Sequence, residues 1–107
     1  MSSVQEYDSG GPSREEVDRL AGATVLEFGT RWCGYCRAAQ PTIAAVLAGR
    51  AGLRHLKVED GSGKPLGRSF GIKLWPTLVF LKDGKELRRS VRPRSEDEIQ
   101  RGLDAIS

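Results

Sequence analysis

The chain has 107 residues, 38% of them hydrophobic and 29% charged, with a formal net charge of +3 at pH 7. This length allows one domain with a single core, and this composition excludes disordered, collagen-like and coiled-coil chains. Two cysteines, Cys33 and Cys36, are too few for the disulfide framework of a small secreted protein.

Residues 1–13 are polar and predict a flexible lead-in, while residues 14–107 are predicted to form the domain. The lead-in has no apolar stretch like a signal-peptide core, and no run in the chain is long enough to span a bilayer. We therefore expect a cytoplasmic protein without membrane contact. In the reducing cytoplasm, two close cysteines are more often catalytic or metal-binding than structural.

The first helix and the first strand are predicted by clear local patterns. Ser13 followed by Glu16 is a capping-box signature that begins a helix. Residues 24–28 are apolar or β-branched except for Glu27. Such a run predicts a strand buried on both faces, in which Glu27 is an anomaly.

The middle of the chain alternates between helix and strand patterns. Apolar residues recur at helical spacing over residues 33–47, with Pro41 inside the helix. Residues 53–58 predict a second strand, and a short helix is expected to end near Phe70. Residues 77–81 are the strongest strand pattern in the chain.

The C-terminal part predicts a hairpin followed by a helix. Asp-Gly at residues 83–84 predicts the turn into a strand over residues 86–91. Ser95 followed by Glu98 is a second capping-box pattern, which opens the last helix. Strands alternating with helices predict an α/β fold with a mainly parallel core, and the hairpin adds an antiparallel edge.

Basic residues are concentrated towards the C-terminal end. Residues 82–94 carry six basic and two acidic side chains, whereas residues 1–30 carry two basic and six acidic ones. Two interpretations stay open: a solvated edge strand guarded against pairing, or a docking surface for acidic partners. Nucleic acid is not an expected partner, because the few aromatic residues are not interleaved with the basic ones.

Cys33 and Cys36 lie where the buried strand has ended and the next helix begins. Backbone N–H groups and the positive end of the helix dipole favour a thiolate at such a position. We therefore predict that Cys33, at the exposed tip, is the nucleophile. Cys36 lies one helical turn further on, faces inward and can attack a mixed disulfide formed by Cys33.

Three other interpretations of the cysteine pair compete with this one. A structural zinc site needs four ligands, and Cys33, Cys36 and His55 supply three in a monomer, which leaves open a zinc shared by two subunits. Covalent haem attachment needs a histidine where the chain has Arg37. The third interpretation is a pair of small buried hydrophobes, for which Trp, Gly and Tyr are poor neighbours. We expect neither a metal nor another cofactor.

Several features together resemble thioredoxin. They are residues 25–28, the Trp-Cys-Gly-Tyr-Cys motif at residues 32–36, Pro41, the Trp-Pro-Thr-Leu-Val-Phe run at residues 75–80 and the Asp-Gly turn at residues 83–84. The similarity covers roughly residues 14–106. These elements in this order and at these separations are far more specific than a lone C-x-x-C.

The resemblance implies the α/β thioredoxin fold, with a central mixed four-stranded sheet flanked by helices on both faces. A weak fifth strand at the N-terminus stays open, because only Val4 and Tyr7 are apolar before Ser13. The implied partners are disulfide-containing protein substrates, with a thioredoxin reductase as candidate electron donor. The protein is expected to be a monomer.

The resemblance also implies a cis peptide bond before Pro76, which lies against the dithiol. In that arrangement the backbone of Trp75 is presented to a substrate strand beside Cys33. The implied substrate-binding residues are Trp32, Gly34, Tyr35, Trp75, Pro76 and Arg92.

Thioredoxins have a buried acid, usually aspartate, six residues before the nucleophilic cysteine, and Glu27 has this position. The resemblance thus implies a raised pKa for Glu27, which suits it to take the proton from Cys36. An exposed glutamate in a frayed strand is the alternative. His55 lies near the position where the family often has a lysine, and we assign it no role.

The chain departs from the family pattern at positions that line the substrate groove. Tyr35 replaces a proline, Leu74 a glycine, Trp75 an isoleucine or valine, and Arg92 a glycine. The Gly34–Tyr35 pair resembles the active site of periplasmic disulfide isomerases.

We predict a thiol–disulfide oxidoreductase that reduces protein disulfides through Cys33, Cys36 and Glu27. A more oxidising disulfide isomerase is one alternative, which differs only in redox potential. The other is a thioredoxin-like binding or chaperone module, in which an apolar patch around Trp32 and Trp75 binds partners and redox turnover is incidental.

Overall fold

A computed structural model describes residues 6–107, which contain four helices and four strands. Their order is the one predicted from the sequence, and most boundaries differ by one or two residues. No helix within these residues is long and apolar enough to cross a membrane. The elements are α1 Arg14–Asp18, β1 Ala23–Gly29, α2 Gly34–Leu47, β2 Arg54–Glu59, α3 Pro65–Ser69, β3 Thr77–Lys82, β4 Lys85–Val91 and α4 Glu96–Ile106.

The strands form one mixed sheet in the order β2-β1-β3-β4. β1 pairs with β2 in parallel, but β1 with β3 and β3 with β4 are antiparallel. The prediction of a mainly parallel core is therefore wrong. α3 has five residues and is about 8 Å long, whereas a strand of six residues spans about 20 Å. Because α3 is too short to return the chain along the sheet, β3 runs back against β1.

Each face of the sheet is covered by its own hydrophobic cluster. α1 and α3 cover one face, and α2 and α4 cover the other, so β1 and β3 are buried on both sides. The first cluster contains Val17, Leu26, Phe28, Val58, Leu66, Phe70, Val79 and Leu81. The second contains Val25, Ile43, Leu47, Leu78, Phe80, Ile99, Leu103 and Ile106.

Both predicted N-caps are present. The Ser13 hydroxyl accepts from the N–H of Glu16, and the Glu16 carboxylate accepts from the N–H of Ser13, which completes a capping box. Ser95 likewise caps α4 at the N–H of Glu98, but the Glu98 carboxylate accepts from the N–H of Arg94 instead. The start of α4 is thus a simple N-cap, without the reciprocal bond from the N–H of Ser95 to the Glu98 carboxylate.

The described part of the predicted lead-in lies against the sheet. The N–H of Asp8 donates to the carbonyl of Lys57 at 2.8 Å, and the N–H of Glu59 donates to the carbonyl of Asp8 at 3.0 Å. These two bonds form a single parallel bridge between Asp8 and Val58, beside β2. One bridge is too short to count as a fifth strand. Residues 1–5 of the predicted lead-in lie outside the described residues.

The basic segment near the C-terminus includes β4, which is an edge strand of the sheet. Most of its side chains are exposed, and Arg89 pairs with Glu86 at 2.6 Å. This placement fits the solvated, guarded edge for most of the segment. Arg92 follows the end of β4 and is not part of this exposed edge.

Close packing of α4 on β3 requires a glycine at position 102. A Cβ there would overlap the ring of Phe80, which is buried in the second cluster. We expect Gly102→Ala to destabilise the fold by about 1–2 kcal/mol, because overpacking outweighs the better helix propensity of alanine. Urea denaturation measures this change.

Gly49→Ala is the matched control, because Gly49 is exposed and its nearest neighbour to an added Cβ is the carbonyl oxygen of Val46 at 3.9 Å. Its free energy of unfolding should stay within about 0.5 kcal/mol of the wild-type value. Equal stability of Gly102→Ala and wild type would contradict the packing argument.

Candidate active site

The start of α2 places Cys33 and Cys36 in environments that differ in burial. Cys33 is the N-cap of the helix and half-buried, and its Sγ accepts from the N–H of Cys36 at 3.2 Å. Cys36 is 1% exposed and lies inside the first turn. The N–H bond at Cys33 Sγ stabilises negative charge on that sulfur. The two thiols therefore differ in access, with Cys33 nearer the solvent.

The buried thiol holds its proton tightly. Burial raises the pKa of Cys36 to about 12, and its hydrogen bond with Cys33 acts in the same direction. Cys36 is therefore a neutral thiol at neutral pH, and it needs a base before it can act as a nucleophile. This asymmetry agrees with the predicted order of attack, in which Cys33 acts first.

A groove beside the dithiol brings together three of the predicted substrate-binding residues. Tyr35, Pro76 and Arg92 line a cavity of about 450 Å³. The Trp75–Pro76 peptide bond is cis, Pro76 is buried, and the indole Nε1 of Trp75 donates to Asp60 at 2.9 Å. The groove thus runs from the start of α2 to the loop before β3.

The other predicted binding positions lie outside this cavity. Trp32 is 66% exposed, and Gly34 opens α2 at a point where an added Cβ would meet nothing within 4 Å. Leu74 is 45% exposed. These residues leave the surface around the dithiol open to a large partner.

Arg92 connects both sides of the groove. Its guanidinium lies 3.9 Å from the centre of the Tyr35 ring, and its Nε donates to the carbonyl of Trp75 at 2.8 Å. The backbone at Arg92 has φ of 49°, the left-handed region that glycine adopts more easily. An arginine held there against local strain occupies the carbonyl of Trp75 with a hydrogen bond.

Glu27 is fully buried in β1 and is held by three hydrogen bonds. Its carboxylate accepts from the Tyr7 hydroxyl at 2.5 Å and from Gln40 at 2.8 Å, and His55 Nε2 lies 2.9 Å from its second oxygen. The sequence alternative of an exposed glutamate in a frayed strand is therefore wrong.

The expected rise of the Glu27 pKa is also wrong. Burial does raise it, but the hydrogen bonds from His55, Tyr7 and Gln40 and the charge of Lys57 outweigh burial, so the pKa of Glu27 lies below its ordinary value. Glu27 is thus an ionised carboxylate at neutral pH.

Three members of this buried network were missed in the sequence. Gln40 donates to Glu27 and also to the carbonyl of Cys36, four residues earlier in α2. Lys57 lies opposite Glu27 in the β1–β2 register and donates to Gln40 at 2.7 Å. Tyr7 belongs to the segment expected as a lead-in. The register of β1 and β2 could have placed Lys57 beside Glu27, and helical spacing from Cys36 could have placed Gln40 on the same face of α2. No sequence pattern pointed to Tyr7.

His55, to which the sequence assigned no role, lies beside the acid, with its Nε2 2.9 Å from Oε1 of Glu27. Within residues 6–107, no group of three or more His, Cys, Asp or Glu side chains is arranged to hold a metal ion. The site offers two thiols, one buried carboxylate and the donors around it. This arrangement suits thiol exchange coupled to proton transfer.

Comparisons with known proteins agree with this chemistry. The thioredoxin family model matches residues 12–105. A thioredoxin from Chlamydia muridarum is 36% identical over 85 residues, which cover 78% of this chain and 82% of the relative. Thioredoxin H-type 1 from Nicotiana tabacum is 34% identical over 94 residues, which cover 88% of this chain and 72% of the relative. The solved structure of reduced thioredoxin 2 from Pseudomonas aeruginosa has 52% identity and a TM-score of 0.85, and the match covers 95% of this chain and 94% of that one.

The lowered pKa of Glu27 predicts how stability depends on pH. Because the folded pKa lies below the unfolded one, Glu27 stabilises the fold fully above the ordinary value of 4.5, and this contribution is lost as pH falls through the folded pKa. Glu27→Gln should lose roughly 1–3 kcal/mol at neutral pH and show a smaller decline in acid. Urea denaturation from about pH 3 to about pH 7 measures both effects.

Glu15→Gln is the control, since Glu15 is an exposed carboxylate in α1. It should keep the wild-type pH dependence. If Glu27→Gln were as steep in acid as the wild type, the lowered pKa would be contradicted.

Proposed function

The chain belongs to the thioredoxin family and is a thiol–disulfide oxidoreductase, and from this we propose that it reduces protein disulfides through Cys33 and Cys36. The observation that carries the proposal is the asymmetry of the two thiols. Cys33 caps α2 near the surface and accepts an N–H bond, whereas burial keeps Cys36 protonated, with a pKa of about 12.

The proposed reaction has two exchange steps. The Cys33 thiolate attacks one sulfur of the substrate disulfide, so that a Cys33–substrate bond forms and the other substrate sulfur leaves as a thiolate. Cys36 then loses its proton and attacks Cys33. A Cys33–Cys36 disulfide forms, the second substrate sulfur leaves, and both substrate thiolates take up protons. The substrate gains two electrons, which the dithiol loses.

The proposed substrate-binding surface surrounds Cys33. Trp32 and Tyr35 are 66% and 62% exposed and offer apolar area to a docked segment. Gly34 leaves open space in front of α2, and Pro76 forms the opposite wall of the groove. An extended substrate segment between these walls would present its disulfide to Cys33.

Arg92 supports a preference for acidic substrates at this surface. Arg92 and Arg94 both line the groove, and none of the described residues that line it is acidic. A partner carboxylate near its disulfide would draw the Arg92 guanidinium away from the carbonyl of Trp75. That carbonyl would then be free to accept from the substrate backbone. Arginine thus selects the substrate and uncovers the backbone group in one movement.

The remaining parts of the proposal concern the setting of the reaction. We place the protein in the cytoplasm as a monomer that receives electrons from a thioredoxin reductase. The thioredoxin relatives support an electron donor of this kind. A dithiol consumed in each turnover requires such a donor of two electrons.

Substitution of each cysteine tests the order of attack. In insulin reduction with dithiothreitol, Cys33→Ser should lose activity to background, because the first bond cannot form. Cys36→Ser should still attack but stop at the mixed disulfide, which intact-mass spectrometry detects as a covalent adduct on Cys33. Full activity of Cys33→Ser, or an adduct that forms on Cys36, would contradict the proposal and favour a binding module.

Substitution of Arg92 tests the preference for acidic substrates. Arg92→Gln should lower kcat/KM about fivefold for a disulfide peptide with a glutamate beside its cysteine, since one partly exposed charge pair is worth about 1 kcal/mol. The value for the matched glutamine peptide should change by less than about twofold. Arg88→Gln, exposed on β4, is the control and should treat both peptides as the wild type does. Equal losses on both peptides would refute the preference.

A further inference from the structure

A continuous line of hydrogen-bonding groups leads from the buried thiol to the edge of the sheet. The Tyr7 hydroxyl contacts Cys36 Sγ and donates to Oε2 of Glu27 at 2.5 Å. The other carboxylate oxygen, Oε1, lies 2.9 Å from Nε2 of His55. Four side chains from the N-terminal segment, β1, α2 and β2 thus form one chain of neighbours.

This chain is closed to water at its centre. Glu27 is 0% exposed and Cys36 is 1% exposed. Gly29 provides the space at which the thiol and the tyrosine meet, since an added Cβ would lie 2.6 Å from Cys36 Sγ and 2.8 Å from the Tyr7 hydroxyl. The His55 side chain, at the far end, is 22% exposed. The chain therefore runs from a buried thiol to a partly exposed imidazole.

Neighbouring groups hold the chain in one arrangement. Lys57 Nζ lies 4.5 Å from the centre of the Tyr7 ring and donates to Gln40. Gln40 Nε2 in turn donates to Oε2 of Glu27 and lies 3.4 Å from the Tyr7 hydroxyl. Cys33 and Lys57 are titratable groups that interact with members of this chain. The charge of Lys57 adds to the hydrogen bonds that lower the pKa of Glu27, so the carboxylate stays able to accept a proton.

In the second exchange step, the resolving attack of Cys36 on Cys33, the Cys36 proton needs such a path. Cys36 must lose its proton as it attacks Cys33, yet burial opposes a free thiolate and leaves water little access to Sγ. The Tyr7 hydroxyl contacts both Sγ and the Glu27 carboxylate, so it connects the thiol with the acid. A hydroxyl can accept one proton while it donates another.

We propose that the Tyr7 hydroxyl relays the Cys36 proton to Glu27 during the resolving attack, and that His55 positions the carboxylate through its other oxygen. This rests on the two-step reduction proposed above. As the Cys36–Cys33 bond forms and the Cys33–substrate bond breaks, the sulfur proton moves to the Tyr7 oxygen and the Tyr7 proton moves to Oε2 of Glu27.

Glu27 holds this proton on Oε2, while its other oxygen, Oε1, stays 2.9 Å from His55 Nε2. When the electron donor later reduces the Cys33–Cys36 disulfide, a proton returns to Cys36 along the same path. Tyr7 is then a catalytic residue, because it touches the reacting sulfur.

The aromatic disulfide dithiobis(nitrobenzoate) separates the two steps. Attack by Cys33 releases one coloured thiolate, and attack by Cys36 releases a second, so rapid mixing resolves two phases. Tyr7→Phe should leave the first phase within about twofold and slow the second on the order of 100-fold near neutral pH, the usual contribution of a positioned proton carrier. The deficit should shrink as pH rises towards the pKa of Cys36, about 12, because a larger fraction of the thiol is then already a thiolate.

His55→Gln and Glu6→Gln complete the set. His55→Gln should slow the second phase and leave the first within about twofold, because Oε1 of Glu27 then loses the ring that positions the carboxylate. Glu6→Gln removes an exposed ion pair with Arg31 in the segment that holds Tyr7, and both phases should equal those of the wild type. Slowing of the second phase by Glu6→Gln would show that the segment acts only structurally.

Three outcomes overturn the relay. They are a second phase of Tyr7→Phe within about twofold of the wild type, equal slowing of both phases, and a deficit that does not change with pH. The wild type supplies a test without any substitution, because heavy water should slow the second phase more than the first. A first phase absent from the wild type would instead refute the proposed reduction itself, leaving the two failures distinguishable.

Discussion

A carboxylate buried in the central strand is the constraint on which the active-site half of the molecule depends. Glu27 lies in β1 without exposure to solvent, and an ion in such a place is stable only when protein donors replace its water. Tyr7, Gln40 and His55 provide those donors, and Lys57 adds a compensating charge. These donors come from three different segments, so the charge of one side chain holds the segments together.

The same donors also position the reacting sulfur. Gln40 bonds both to Glu27 and to the carbonyl of Cys36, so it links the acid to the turn of α2 that carries the buried thiol. Tyr7 fills the space over Gly29 between that thiol and the acid. Stability and proton transfer therefore draw on one network, and a residue that loosens the network is expected to affect both.

The proposed recognition surface lies on the other side of the dithiol from this network. There Arg92 stacks on Tyr35 and donates to the carbonyl of Trp75, while Trp32 stays exposed. In the proposed reaction, the charged side chain of Arg92 occupies the backbone group with which a substrate would pair. The proposed proton path lies on the buried side of Cys33, so the two proposed roles involve different residues.

The sequence predicted the element order and both N-caps, because these depend on residues within a turn or two of one another. It also predicted the family, because the motifs that carry the resemblance are short segments in a fixed order. It did not predict the direction of β3, since that direction depends on how far the short α3 carries the chain. Nor did it predict the ionised state of Glu27 or the place of Tyr7. The pKa of a buried acid is set by donors that folding brings from distant segments, and local patterns do not contain them.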